Sequence, residues 1–171
     1  MGSATNSALD RAQSQAVASA KQEIIELRSL YAHATDLIAS SDSGHQAKGR
    51  EIYQRIYTPD ARISAQGVDP VTGPDAWAQF VAAALETFDA TQHLVGSPLV
   101  HQLQLPDEQG NGGTAEVTSY LQAWHSTPDN SLFMFVGTYH DRCVYSPDQG
   151  WQIAAMHLQK TADEWRRFTP R

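Results

Sequence analysis

The sequence lacks several features that would assign it to a broad class of proteins. It contains one cysteine, Cys143, which excludes a disulfide framework within the chain and a zinc site built from cysteines. No run approaches the roughly 20 consecutive apolar residues of a membrane-spanning helix. The N-terminal residues contain no apolar core of a secretory signal peptide. We therefore expect a cytoplasmic protein with no membrane partner, in which Cys143 is a buried, inert thiol.

Positive charge is also scarce. The 171 residues include 12 Lys and Arg against 19 Asp and Glu, which gives a formal net charge of -7. Proteins that bind nucleic acid concentrate Lys and Arg into a patch, whereas here only Arg166 and Arg167 form a basic pair. The charge balance therefore argues against nucleic acid and against an anionic membrane surface as partners.

The motifs of several common active sites are absent as well. The sequence has no glycine-rich phosphate-binding loop, no G-x-S-x-G nucleophile motif and no H-E-x-x-H zinc motif. Seven histidines raise the question of a metal, but no two are separated by one residue, the spacing that places two ligands on one face of a strand. We expect no metal and no cofactor. A metal site formed by histidines of different strands stays open as an alternative; these would be His93, His101, His125, His140 and His157.

The composition indicates one globular domain. Hydrophobic residues make up 41% and charged residues 18% of the chain, which are values of a folded protein with its own core. Residues 1–18 are small and polar, and we expect them to form a flexible tail before a single domain at residues 19–171.

Hydrophobic periodicity predicts helices first and strands afterwards. Apolar residues recur every three or four positions in 24–38, 46–57 and 74–88, separated by a loop at Ser40–Gly44 and by turns. Alternating patterns predict strands at 61–66, 93–105, 114–126, 132–145 and 151–160, with short turns that indicate an antiparallel meander. This order predicts an α+β fold, in which the helices cover one face of a curved antiparallel sheet and enclose a cavity. Such a cavity is the default binding site.

Six short segments stand in a distinctive order between about residues 20 and 160. They are Leu30–Asp36, Tyr57–Ile63, Gly73–Trp77, Thr91–Gly96, Gly137–Asp141 and Gly150–Ala154. Together they resemble the SnoaL-like family of the nuclear-transport-factor-2-like superfamily, which includes polyketide cyclases, scytalone dehydratase, bile-acid dehydratase and a dehydrochlorinase. The resemblance implies a cone-shaped α+β fold, and it is much less specific for the reaction.

The resemblance also implies catalytic residues. Several members use an Asp–His pair in the cavity without a metal or cofactor; the Asp matches Asp36, and the His, in a T-Q-H segment entering the sheet, matches His93. A Tyr five residues before the Asp acts in the bile-acid enzyme and matches Tyr31. The chain departs from the family at Ser40–Gly49, a longer stretch that would form a lid or rim loop. It also has Met156 and His157 where some members place a catalytic Arg.

Without the resemblance, each of these residues has a simpler interpretation. Asp36 falls opposite the apolar stripe of its helix, which predicts a solvated acid at the helix end. His93 would be a structural histidine, and Tyr31 lies on the apolar stripe, where core packing and pocket lining are equally consistent with the pattern.

Five further residues are expected to contact a substrate. His125 is the second candidate histidine, since scytalone dehydratase has a second working histidine in the matching strand, although at a different offset. In the predicted strand 114–126, His125 lies on one face and Trp124 on the other. The aromatic residues would stack on an aromatic or polycyclic substrate, although core packing explains them equally well. The five residues are His125, Tyr139, Trp124, Trp77 and Phe135.

We therefore expect a cofactor-independent lyase that acts on a hydroxylated aromatic or polycyclic small molecule. His93 would transfer the proton, Asp36 would orient it and stabilise its charge, and Tyr31 would polarise the substrate. The reaction would be a dehydratase-type elimination or a carbon–carbon cleavage that releases a small aldehyde. An isomerase or cyclase, or a module that binds ligands or dimerises without catalysis, stays open. We expect a homodimer from the resemblance and from a strand, 132–145, that is apolar on both faces.

Overall fold

The computed structural model describes residues 2–129 and 131–167. The chain forms three helices, α1 (Gly2–Ile38), α2 (Ser43–Ile56) and α3 (Pro74–Leu85). It also forms six strands, β1 (Tyr57–Ala65), β2 (Val71–Thr72), β3 (Ala90–Gln104), β4 (Thr114–Ser126), β5 (Ser131–Ser146) and β6 (Gly150–Arg167). The predicted α+β fold, with N-terminal helices against a curved sheet, is confirmed.

Helix α1 is longer than its apolar stripe. The stripe residues Ile24, Leu27, Tyr31 and Ile38 are buried, as the periodicity predicts. The helix nevertheless begins at Gly2, in a segment rich in alanine, the best helix former. Residues 9–19 of this segment are exposed except for a half-buried Val17. The predicted tail is thus helical where the structure describes it; its flexibility stays a prediction, and Met1 lies outside the described residues.

The segment predicted as a lid or rim loop, Ser40–Gly49, is mostly helix, which corrects that expectation. Asp42 caps α2, because its side chain accepts a hydrogen bond from the His45 N–H at 2.9 Å. Gly49 lies against α1 so closely that a Cβ would come within 2.7 Å of the Ala34 carbonyl oxygen. This stretch therefore packs α2 onto α1 and leaves only a short turn between the helices.

Strand β1 begins at Tyr57, four residues before the predicted start. Pro59 does not prevent this, because it lies where the pairing of β1 with β6 is irregular, between Tyr57 and Arg62. The turn after β1 contains the two-residue β2, which pairs antiparallel with β1. Gly73, with φ of 85°, leads into α3, which begins with Pro74 as predicted.

The six strands form one sheet in the order β2-β1-β6-β5-β4-β3. Strands β3 to β6 make the predicted antiparallel meander. The pairing of β1 with β6 is parallel, however, so the sheet is not purely antiparallel. Strand β6 extends beyond the predicted end to Arg167, because its second half pairs with the first residues of β5. Irregular pairing near Pro98 and at Gly137 adds local bends to β3 and β5.

The two faces of the sheet differ. One face packs on the helices and contributes buried residues such as Val117, Leu121 and Tyr139 to the core. The other face leaves apolar side chains in solvent, among them Leu94, Leu99 and Tyr120. Over the described residues, no helix is both long and apolar enough to cross a membrane.

Candidate active site

A cavity of about 340 Å³ lies between the helices and the sheet. Its volume falls in the range of small-molecule sites. Helices α1 and α3, the connection after α3 and all the strands except β2 contribute to its wall, and most of the wall is apolar. The residues that the following argument uses are Tyr31, Gln66, Trp77, Phe88, His93, His125, Phe133, Phe135, Tyr139, Lys160 and Asp163.

Asp36 and His93 form a hydrogen-bonded pair at this cavity. Asp36 Oδ1 lies 2.7 Å from His93 Nδ1, and Asp36 Oδ2 accepts a bond of 3.2 Å from the His93 backbone N–H. Thr91 Oγ1 also donates to the carboxylate at 3.1 Å. The His93 side chain is 8% exposed and that of Asp36 28% exposed. Strand β3 therefore holds the end of α1 by three bonds to one carboxylate.

The pair fixes how His93 can act. Because the Asp36 carboxylate only accepts hydrogen bonds, Nδ1 of the neutral imidazole carries the proton, and Nε2 keeps its lone pair. His93 lines the cavity, whereas Asp36 lines a separate cleft on the outer side of α1. The arrangement provides a proton acceptor toward a bound molecule, with a negative charge behind it to stabilise the imidazolium.

His125 also lines the cavity, and its ring centroid lies 5.4 Å from that of His93. It is buried, and among the residues that the structure describes its Nδ1 has no hydrogen-bond partner. Burial, with a smaller effect of His93, lowers the pKa of His125 to about 4, although Asp36 acts in the opposite direction. His125 is therefore neutral near pH 7 and has an unmatched polar atom that a ligand can satisfy.

Tyr31 and Tyr139 lie deep in the cavity wall, with ring centroids 5.4 Å apart. Trp77 Nε1 donates a hydrogen bond of 3.3 Å to the Tyr31 hydroxyl. Burial raises the pKa of Tyr139 well above its usual value, so this phenol keeps its proton. The Tyr139 hydroxyl is thus a neutral group, and both hydroxyls are suited to bind a substrate oxygen.

The buried ion pair of Arg28 and Asp141 was missed from the sequence. Arg28 Nε donates to Asp141 Oδ2 at 3.1 Å, and the Arg28 Nη2 atom bonds Asp141 Oδ1. The guanidinium carbon lies 4.0 Å from the ring centroid of Tyr139 and 4.5 Å from that of Tyr31. Two signals could have revealed the pair. One is a charged residue inside the buried stripe of α1, and the other is an opposite charge on the buried face of β5.

Other predicted site residues divide into those at the cavity and those away from it. Phe135 and Trp77 line it, as expected. Trp124 does not: it lies on the other face of β4 from His125, which corrects its assignment to substrate binding. Phe88 and Phe133, whose rings stack near His125, were missed. The periodicity of 74–88 placed Phe88 on the predicted helix, but α3 ends at Leu85, so the helical pattern does not give the direction of this side chain.

The remaining histidines and the cysteine lie outside this arrangement. His101 bonds Thr118, and His157 bonds Ser64, both at exposed positions. Within residues 2–129 and 131–167, no three His, Cys, Asp or Glu side chains are arranged to hold a metal ion. Cys143 is buried as predicted, and burial raises the pKa of its thiol.

Comparisons with known proteins agree with this fold. A family model described as a SnoaL-like domain matches residues 16–157. None of the curated proteins compared matches the chain. The Kfla4162 protein of Kribbella flavida is 23% identical, with a TM-score of 0.67 over 86% of this chain and 95% of that chain.

Two further solved structures are similar in fold and have names that refer to eliminations. A candidate scytalone dehydratase from Novosphingobium aromaticivorans is 17% identical, with a TM-score of 0.67 over 92% of this chain and 93% of that chain. A type 2 hexachlorocyclohexane dehydrochlorinase (LinA) is 15% identical, with a TM-score of 0.65 over 95% of this chain and 97% of that chain. At these identities the likeness establishes the fold alone.

Proposed function

Because the chain belongs to the SnoaL-like domain family, we propose that it is a lyase that works without a cofactor on a hydroxylated aromatic or polycyclic small molecule. The observation that supports this best is the 2.7 Å hydrogen bond between Asp36 and His93, with His93 at the wall of a 340 Å³ cavity. This volume is at the low end for small-molecule sites, which favours substrates of one or two rings.

In the proposed elimination, His93 Nε2 takes a proton from the carbon adjacent to the one that bears the departing hydroxyl. The electron pair of that C–H bond forms the new double bond as the C–O bond breaks. The hydroxyl receives the proton back from the imidazolium and leaves as water. Asp36 stabilises the imidazolium, and Tyr31, which Trp77 positions, donates a hydrogen bond to a substrate oxygen. A carbon–carbon cleavage that releases a small aldehyde uses the same groups.

The cavity wall supports the same substrate class. Phe135 and Trp77 offer aromatic surfaces to a ring. His125 offers a neutral imidazole whose buried Nδ1 lacks a partner within residues 2–129 and 131–167. A substrate hydroxyl or carbonyl group supplies one in the appropriate tautomer. Tyr139 adds a neutral hydroxyl in the deep part of the cavity. The names of two structures with the same fold, a candidate scytalone dehydratase and a dehydrochlorinase, are consistent with an elimination.

The test is a screen of hydroxylated aromatic and bicyclic compounds by mass spectrometry, without added metal. Wild-type protein should give a product lighter by water or by a small aldehyde, and His93→Ala should not. His101→Ala, which changes an exposed histidine bonded to Thr118, is the matched control and should keep activity. A product of unchanged mass would instead identify an isomerase or cyclase. Ligand-induced stabilisation of both proteins without turnover would identify a binding module.

The homodimer also stays a proposal. The exposed apolar side chains on the outer face of the sheet, Leu94, Leu99 and Tyr120, are suited to an interface. Light scattering after gel filtration should give twice the monomer mass for the wild type, and Leu99→Glu should shift the protein toward the monomer. The cytoplasmic location stays a prediction from the sequence.

A further inference from the structure

Charged side chains occur at one place in the wall of the cavity. Among the described residues that line it, Lys160 is the sole Lys or Arg and Asp163 the sole carboxylate. Both belong to the second half of β6, beyond the residues that pair with β1. Gln66, just after β1, lines the cavity beside them. These three residues, the rim cluster, are distinct from Asp36 and His93.

The amide group of Gln66 is oriented by the backbone of β6. Its Oε1 accepts a hydrogen bond of 3.1 Å from the Lys160 backbone N–H, and its own backbone N–H donates to the Leu158 carbonyl at 2.8 Å. With the oxygen end held in this way, the NH₂ group makes no hydrogen bond to the residues that the structure describes and is left to donate to a ligand. The rim cluster therefore offers two kinds of donor to the cavity, the Gln66 amide and the Lys160 ammonium.

Asp163 is a weak competitor for these donors. Its Oδ2 lies 2.9 Å from Lys160 Nζ, but the two side chains are 41% and 44% exposed. An ion pair so open to water stabilises the protein little, since water solvates both charges when they separate. A carboxylate on a ligand can therefore take the place of Asp163, which then turns to solvent. A bond from Lys160 to a ligand carboxylate is charge-assisted but also open to water, so its contribution is modest and falls as the ionic strength rises.

We propose that Lys160 and Gln66 bind an anionic group of the substrate, so that the substrate is an aromatic or alicyclic carboxylate whose ring occupies the apolar part of the cavity. This inference rests on the proposed function, since it describes the substrate of the same cavity. It gives the substrate an orientation, with its carboxylate at the rim cluster and its ring against Phe135 and the residues deeper in the cavity. Lys160 is a specificity-determining residue that takes no part in the proton transfer.

The test compares three probes of nearly equal shape by isothermal titration calorimetry at low ionic strength. They are 2-naphthoate, the neutral 2-naphthamide and the cationic 2-naphthylmethylammonium. Wild-type protein should bind naphthoate most tightly. Lys160→Met should weaken naphthoate binding by about three- to fivefold, as expected for loss of a charge-assisted bond that is open to water, and leave naphthamide binding unchanged. Asp163→Asn should tighten naphthoate binding several-fold, because the internal competitor is removed.

Arg166→Met is the matched control, since Arg166 pairs with the exposed Glu164 and does not line the cavity. It should leave all three affinities unchanged. The inference would be overturned if Lys160→Met lost affinity equally for all three probes. It would also be overturned if the wild type preferred the ammonium probe. Because these are binding measurements, His93→Ala should keep the preference for naphthoate. If the protein binds the probes selectively by charge but turns over no substrate, this inference stands and the proposed lyase function is rejected.

Discussion

Protonation of the buried imidazole of His125 should lower the stability of the protein. Its folded-state pKa of about 4 lies below the value near 6.5 of an unfolded histidine. The unfolded chain therefore binds a proton more readily between these values. The free energy of unfolding should be undiminished above pH 6.5 and should fall by as much as about 3 kcal/mol as the pH is lowered to 4.

His125→Phe should remove this dependence. The ring fits among Phe88 and Phe133, and the unpartnered Nδ1 disappears, so the variant should be at least as stable as the wild type at pH 7. Urea denaturation at pH 7, 5.5 and 4.5 measures the effect, with His101→Gln as the exposed control. The same loss of stability between pH 6.5 and 4 in His125→Phe and wild type would show that His125 is not the group responsible.

Asp36→Asn tests how the proposed base is oriented. Asparagine fits the site but cannot stabilise an imidazolium, and its NH₂ group favours the wrong tautomer of His93. Once a substrate is found, turnover should fall by about 10²–10⁴-fold while substrate binding changes little. Steady-state kinetics and calorimetry check both parts. Asp89→Asn, an exposed acid in the outer cleft beside Asp36, should keep full turnover; comparable loss in both variants would contradict a specific role of Asp36.

Asp36 and Trp124 show what the sequence can and cannot predict about a single residue. The position of Asp36 on the helix predicts a solvated acid, yet its environment comes from Thr91 and His93, more than fifty residues away. Only the resemblance to a family brought these residues together. For Trp124 the alternation along β4 was sufficient, since a strand that points His125 into a cavity points its neighbour away. Assigning both to the substrate was inconsistent with that pattern.

At the scale of elements, the crossing of α1 and α2 depends on Gly49. A methyl group there would lie 2.7 Å from both the Ala34 carbonyl oxygen and Ile38 Cγ1. Helix propensity alone favours alanine over glycine by about 1 kcal/mol. The clash outweighs this gain, and Gly49→Ala should destabilise the protein by about 1–3 kcal/mol.

Thermal and urea denaturation measure this change, with Gly96→Ala as control. Gly96 lies in β3, where an added Cβ meets no atom within 4 Å, so that variant should have wild-type stability. A Gly49→Ala variant more stable than the wild type would show that α1 and α2 cross at a greater distance.

Element boundaries were predictable where local residues determine them. Strand β4 has the predicted bounds, because Gly112 and Gly113 precede it and Thr127 and Pro128 follow it. The length of strand β6 was underestimated, because its polar second half is held by pairing with β5 rather than by burial. The start of α2 was missed for a similar reason: Ser43–Gly44 is typical of a loop, but the Asp42 cap begins the helix there.

At the scale of the whole molecule, Arg28 and Asp141 join the first helix to the middle of the sheet across 113 residues of sequence. Burial raises the pKa of Asp141, and the charge of Arg28 opposes that shift. Each charge is thus tolerated inside the protein because the other is present. The resemblance does not include Arg28, and no local pattern connects the two residues.

A double-mutant cycle tests this dependence. Arg28→Met should destabilise the protein by about 3–5 kcal/mol, because it leaves a buried carboxylate without its partner. Adding Asp141→Leu removes that carboxylate and should recover most of the loss, since an apolar pair of similar volume fills the space. Urea denaturation measures all four proteins, with Glu164→Gln, which breaks an exposed ion pair, as the control without effect. If the double variant is less stable than Arg28→Met, the attraction between the two charges itself stabilises the fold, beyond making each buried charge tolerable. The helices would then depend on this ion pair to remain on the sheet.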